Sequence, residues 1–438
     1  MSVVDTMGVR RLAKAADAAL RSYGLISKHR QDRKARDRAL SDQSRRGLDW
    51  TNFFLADVQM GFGAFLAFYL ADLQWSKEEV GVALAVGNLA AVVVLVPGGA
   101  FADSVRWKRA LVASGIVAIA ISALILAISP TFWAVIVAEL LHGATAGLVV
   151  PGIAAITLGL AGRRHMSVRV GRNYRFGAAG NCVTAAAMGL LGAYVSPGSI
   201  FIATALLCIP ALLALSRIKA DEIDYVRARN ATKRDHSFDL QRTLDLAKNR
   251  NLIVFAGCMV LFHFSNASVM PLVGQDLGRS DAASSSLFMA GMIIVPQVVF
   301  AFLAPWIGYW SEIVGRKPLL LAGFMTEAIR AALLTVVADP RLVLAVQLLD
   351  GVTSACVMVL TIVVITDLTK GTGRFNLAQG VFGLLTGLAA VISTASTGFI
   401  VAHLGEAAGF LSLATATVSA IVLLMLLLPE SKPGDYND

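Results

Sequence analysis

Gly308-Tyr309-Trp310-Ser311-Glu312-Ile313-Val314-Gly315-Arg316-Lys317 is a short charged hinge between two long apolar runs. A more worn copy, Gly99-Ala100-Phe101-Ala102-Asp103-Ser104-Val105-Arg106-Trp107-Lys108, lies about two hundred residues earlier. In each copy the first glycine permits close helix approach, in the 308–317 copy a second, Gly315, permits a tight turn, and the carboxylate stands where it can meet the N-terminus of a neighbouring helix. Two such copies imply two related halves.

Outward from the hinge, 56% of residues are hydrophobic and 15% charged, and the charges fall in clumps between apolar runs of about twenty residues. That is the pattern of an all-α polytopic membrane protein. Twelve spans are expected, at 50–71, 79–101, 109–128, 132–160, 174–195, 199–217, 251–273, 284–307, 317–337, 342–367, 376–402 and 407–428. On this map three of the 38 Lys and Arg lie outside (Lys77, Arg279, Arg341), one lies within a span (Arg330), and the other 34 lie on the cytoplasmic side. The net charge of +9 therefore sets orientation and does not signal nucleic acid.

The expected organisation is a basic cytoplasmic segment (1–48), a six-helix bundle (49–217), a cytoplasmic linker (218–250), a second six-helix bundle (251–428) and a tail (429–438). The first segment holds twelve Lys or Arg and five Asp. It reads either as a helix on anionic lipid, with Leu12, Ala15, Ala16, Ala19, Leu20 and Tyr23 on one face, or as a disordered basic tail. The linker is expected to be solvated, with an interfacial helix over 238–246 as the alternative. Cys182, Cys208, Cys258 and Cys356 sit in apolar runs without short spacing, which suggests neither disulfides nor a thiolate metal site.

Three stretches match between the halves: Asp103 with Glu312, 138–143 with 346–351, and 172–176 loosely with 373–376. The same offset sets Asp57 opposite Asn266.

The hinge resembles the cytoplasmic loop signature of the major facilitator superfamily of transporters, G-x-x-x-[DE]-x-x-G-[RK]-[RK]. The subfamily is loosely drug-efflux-like, although span five lacks the proline of the antiporter motif G-P-x-x-G-G around Gly189 and Gly192. The resemblance implies two pseudo-symmetric six-helix bundles, and a gating role for Gly99, Asp103, Arg106, Lys108, Gly308, Glu312, Gly315, Arg316 and Lys317. It implies that these residues hold the halves together on the cytoplasmic side when the cavity opens outward. Glu312 would meet span five near Arg172 and Asn173, and Asp103 would meet span eleven near Arg374 and Asn376. The first copy departs from the pattern at Ser104, Arg106 and Trp107, which points to a looser latch.

Ionisable residues within spans cost at least ~2.5 kcal/mol each on insertion scales, so each is a functional candidate. Asp57, Glu139, His142 and Asp350 are the candidates for proton coupling, and Gln59, Asn181, His263, Asn266, Gln297 and Gln347 for the substrate cavity. Asp57 reads as a proton carrier, a hydrogen-bonded packing residue or a substrate contact. Glu139 stands where many proton-coupled members have Arg in R-x-x-x-G-x-G; it reads as a relay with His142 or as a partner of Gln347. Asn181 suits a cavity wall or small-residue packing. Glu327 and Arg330, at i and i+3, read as a structural ion pair on a peripheral span.

No nucleotide-binding loop, metalloprotease helix or nucleophile elbow occurs, which argues against an enzyme and for a gradient-driven carrier without cofactor or bound metal. The expected activity is proton-coupled efflux of small cationic or neutral amphiphilic molecules. Uptake of a polar solute by symport or uniport, divalent metal export, and a facilitator-like sensor are the alternatives. The expected partners are a small-molecule substrate and the bilayer, with anionic lipid at the N-terminal segment, and no nucleic acid. A monomer in the cell inner membrane with both termini cytoplasmic is expected.

Overall fold

The computed structural model describes residues 41–60, 66, 69, 70, 73–196, 198–231, 248–270, 272, 273, 282–337 and 339–430. The expected helices over 12–23 and 238–246 lie outside them.

The described residues form twelve long helices: α1 (Asp42–Met60), α2 (Lys77–Ser104), α3 (Lys108–Ile128), α4 (Phe132–Ala161), α5 (Met166–Tyr194), α6 (Ser199–Ser216), α7 (Arg250–Ala267), α8 (Ala282–Ile313), α9 (Lys317–Leu333), α10 (Pro340–Leu368), α11 (Phe375–Leu404) and α12 (Glu406–Leu427). Their ends follow from local chemistry. Ser76 and Glu79 make a reciprocal capping box at α2, and Asn249 and Asp339 cap α7 and α10 through their side chains. Gly162, Gly315 and Gly405 take positive φ where chains leave α4, α8 and α11. Eight of the twelve are long and apolar enough to cross a membrane. Large apolar side chains such as Leu89, Val93, Trp133 and Phe302 are exposed on their outer faces, where lipid rather than water would satisfy them.

Two helices start earlier than the apolar runs indicate. α1 begins at Asp42 rather than 50, and α5 at Met166 rather than 174. The reason is charge neutralisation. Asp49, 1% exposed, accepts from Arg169 Nη2 at 2.6 Å and is held by the fork of the half-exposed Arg172, so the buried Asp49 and Arg169 stay helical as a paired group. Arg169 Nε also donates to Asn173, whose amide donates to Thr157 of α4. Residues 41–48 thus belong to the first bundle, with Leu48 fully buried and Gly47 against α6.

The linker also departs from expectation over its first part. Residues 220–231 are folded onto the bundles through turns at Ala220–Glu222 and Tyr225–Ala228. Asn230, at φ 61°, donates to Thr366 O at 2.7 Å, and its carbonyl accepts from Gly371 N. The Tyr225 hydroxyl donates to Ser104 O, and Arg106, Lys108 and Arg229 surround its ring.

The halves meet at the end that carries both loop motifs, through α2 against α11 and α5 against α8. One buried apolar core continues across them there, joining Leu158, Met166 and Val170 to Phe300, Leu360 and Phe375. At the opposite end the cores are separate. Phe201 and Leu126 belong to the first half's cluster, and Val269, Leu334 and Phe410 to one confined to the second.

Glycines set how closely these helices cross. A Cβ on Gly99 would lie 2.3 Å from Asn376 O, and one on Gly308 2.3 Å from Ser167 O. Gly380 against Leu95 O (2.2 Å) and Gly171 against Ala304 O (2.3 Å) repeat the arrangement a turn further in. Replacing Gly99 by Val should therefore force this crossing apart at a cost of about 1–3 kcal/mol. A cysteine placed at Leu377, buried beside Gly99, should then be alkylated markedly faster from the motif end than in a protein that keeps Gly99.

Candidate functional site

Both motif acids sit on the first turn of a helix in the other half. Asp103, 1% exposed, accepts from Asn376 N at 3.2 Å, Asn376 Nδ2 at 2.8 Å and Leu377 N at 2.9 Å. Glu312 Oε1 accepts from Ser167 Oγ at 3.0 Å. Asn376 and Ser167 are each the second residue of their helix, α11 and α5. Glu312, Gly308, Asn376, Gly380 and Ala304 lie 209 residues after Asp103, Gly99, Ser167, Gly171 and Leu95, so the contact is one motif used twice. This register corrects the expected match of 172–176 with 373–376. Arg172 and Asn173 lie further along α5, engaged with Asp49 and Thr157.

The first residues of each motif are the last turn of a helix, and in the second copy only Val314–Arg316 form the turn. The motif cations act locally. Arg316, 2% exposed, pairs with Asp367 at the end of α10 at 3.2 Å and caps Ser311 O. Lys317 Nζ donates to Met425 O and Leu428 O at the end of α12. Lys108 donates to Ala102 O.

Deeper in the second half, α7, α9 and α10 bring together Asn266, Glu327, Arg330, Gln347 and Asp350. Arg330 Nη1 donates to Asp350 Oδ1 at 2.8 Å and Glu327 Oε2 at 3.1 Å, and Nη2 donates to Gln347 Oε1 at 2.9 Å. Asn266 Nδ2 donates to the same Asp350 oxygen at 3.1 Å. Glu327 and Arg330 are therefore not an isolated peripheral pair but the floor of a five-residue network. Gln347, fully buried, serves that network rather than Glu139 or a cavity wall. Of the three charged members only Asp350, its side chain 20% exposed, is not fully buried. Two acids share one cation, and Arg330 Nε and Gln347 Nε2 are buried without partners.

The first half has a different arrangement. Glu139, 4% exposed, projects from α4 onto Gly87 of α2, where a Cβ would meet its Oε2 at 2.1 Å. Its Oε1 is buried without a hydrogen-bond partner. Gly143 and Gly147 continue the same face, against Gly87 O and Val94 O, so the G-x-x-x-G spacing serves close helix packing here. His142, one turn on, is half-buried.

The remaining candidates are scattered. His263 contacts Met259 O at 3.0 Å and the Phe262 ring, Gln297 Oε1 is buried without a partner, and Asn181 is half-buried on α5. The side chains of Asp57 and Gln59 lie outside the described residues. Among the described residues no three His, Cys, Asp or Glu side chains gather into a metal-sized group. Sequence reasoning missed Asp49, whose position eight residues before Asp57 on the same helix was its only signal, and Gly87, which carries none.

Arg330→Met should leave two acids facing each other inside the bundle, a loss of about 3–5 kcal/mol for a broken buried pair. Adding Glu327→Gln and Asp350→Asn should recover most of it, as read by thermal unfolding in detergent.

The comparisons with known proteins agree with this architecture. Proteins of two strains of Mycobacterium tuberculosis, each described as an uncharacterized MFS-type transporter, are 34% identical over 396 residues, covering 90% of this chain and 94% of theirs. The structure of the transporter FucP in the outward conformation superposes with a TM-score of 0.69 at 14% identity, over 87% of this chain and 98% of that one. The human organic anion transporter MFSD10 superposes with a TM-score of 0.63 at 15% identity, over 88% and 100%. The sequence profile of the Major Facilitator Superfamily matches residues 50–298 and 252–438. This chain is therefore a multi-pass membrane transporter of the Major Facilitator Superfamily, and not an enzyme.

Proposed function

We propose that this transporter exports small cationic or neutral amphiphilic molecules in exchange for protons. It works by alternating access, as a monomer in the cell inner membrane with both termini cytoplasmic, and it needs no cofactor beyond the proton gradient. The units are those read from the sequence, with the first bundle taken from residue 41: two six-helix bundles, a linker across their cytoplasmic ends and a short tail.

The observation that carries the reading is the Arg330 network. Asp350 shares one guanidinium with Glu327, and of these two acids it is the one that is not fully buried. A proton taken up by Asp350 would free Arg330 to pair with Glu327 alone, and release of that proton would restore the shared arrangement. Coupling then follows if substrate and proton compete for this acid as the halves rock. Glu139 is the second candidate, because among the described residues no cation pairs with its buried carboxyl; Asp57 and His142 complete the set. The preference for cations and neutral molecules follows from charge. Arg330 is already committed to two acids, so a doubly anionic substrate finds no countercharge at this network.

Asp103 and Glu312 are the gate in this reading. Seated on α11 and α5, they hold the cytoplasmic side shut, and their release lets the cavity open inward. The motif cations Arg316 and Lys317 keep the second hinge rigid so that Glu312 stays aimed at Ser167.

The test is dye-reported proton flux in proteoliposomes under an imposed pH gradient, with lipophilic cations, neutral amphiphiles and sugars presented in turn. Substrate-dependent flux should appear with cations, fall to background in Asp350→Asn and weaken in Glu139→Gln. Solute movement indifferent to pH in the parent protein would contradict coupling, and flux with sugars alone would contradict the substrate class.

A further inference from the structure

The hinges before α3 and α9 are pseudo-symmetric but are completed differently. At α9, Glu430 lays its carboxylate on the backbone of the hinge. Arg316 N donates to Oε1 at 2.8 Å and Lys317 N to Oε2 at 3.2 Å, and Gly315, at φ 107°, leaves room for it. At α3 the equivalent residues are Arg106, Trp107 and Lys108, 209 positions earlier, and there Lys108 N donates to Arg106 O at 3.0 Å instead of to a carboxylate.

Beside the first hinge lies a cavity of about 490 Å³. Arg106, Lys108 and Arg109 line one side of it, and Leu212, Leu215 and Ile223 line the other. No acid lines it among the described residues. Arg109 Nε is buried there without a hydrogen-bond partner, although its Nη2 reaches Ser216 O at 3.3 Å. Trp107, 59% exposed, stands at the edge of the cavity. Beyond it α3 and α6 carry exposed apolar side chains, Val117 and Ile121 on one and Ile209 and Leu213 on the other. Cations at a helix end, an interfacial indole and an apolar flank form one continuous surface.

We propose that this cavity binds the headgroup of an anionic phospholipid. Its phosphate meets the basic side chains of Arg106 and Arg109 at the start of α3, and its acyl chains lie along α3 and α6. Two of the three departures of the first loop motif, Arg106 and Trp107, then acquire a purpose, since one meets the phosphate and the other marks the headgroup level. Asp103 lies on the same hinge, so bound lipid would steady the seat of that acid on α11.

Native mass spectrometry of the full chain in detergent, with phosphatidylglycerol and phosphatidylcholine of matched chains, tests this. The parent protein should bind phosphatidylglycerol at least about tenfold more tightly. Arg106→Gln with Arg109→Gln should lose about 25-fold, from roughly fivefold per basic residue near an anionic surface. Ala113→Phe, which fills the cavity without touching a charge, should lose binding too and serves if the double variant does not fold. Equal affinity for the two lipids, or undiminished phosphatidylglycerol binding in both variants, would overturn the proposal. Displacement of the lipid by equimolar inorganic phosphate would also overturn it, by making the ligand a free anion.

Discussion

A carboxylate seated on the first turn of a helix in the opposite half is the interaction on which this architecture depends. Asp103 satisfies three donors of α11, two of them backbone N–H groups that the helix cannot satisfy within itself. Such a bond forms only if the two helices nearly touch, which is why Gly99 lies one turn before Asp103 and Gly308 one turn before Glu312. The glycine supplies the approach and the acid supplies the bond. Used twice at the same offset, the pair closes one end of the molecule and leaves the other end with two separate cores. A contact made of a few charge-assisted hydrogen bonds and glycine crossings is strong enough to define a state, and it can be released as a unit.

Within each half, buried charge is handled in a different way. Near the motif end of the first half, Asp49 neutralises Arg169 and Arg172, which fixes α1 against α5 and lets that half move as one body. In the second half the arithmetic is reversed, with Glu327 and Asp350 on one Arg330. A surplus cation at the membrane edge is solvated or screened, whereas a surplus anion deep within a bundle is not. The asymmetry separates residues that hold a half together from residues that respond to a proton.

The fold was legible because its two strongest signals are one-dimensional: apolar runs long enough to span a bilayer, and a loop motif that recurs. The starts of α1 and α5 were not, because Asp49, Arg169 and Arg172 each look like a loop residue until their mutual pairing is known. The linker was read as solvated for the same reason; its charges are real, but Tyr225 and Asn230 dock between them. Glu327 and Arg330 could be paired from i, i+3 spacing alone. Their joining to Asp350, Gln347 and Asn266 needs three helices in register, which no local pattern encodes. Glu139 was found from its cost in a span, but the partner that matters, Gly87, contributes only the space that it leaves.

The most direct measurement is electron–electron distance spectroscopy on the protein in bilayer nanodiscs, with spin labels at Arg164 and Val314 across the motif end and at Tyr194 and Leu404 across the far end. If Asp103 and Glu312 hold the closed end, then Asp103→Asn combined with Glu312→Gln should lengthen the first distance and shorten the second. Distance distributions unchanged at both ends would show that glycine crossings and apolar core hold the halves by themselves, and would contradict the account.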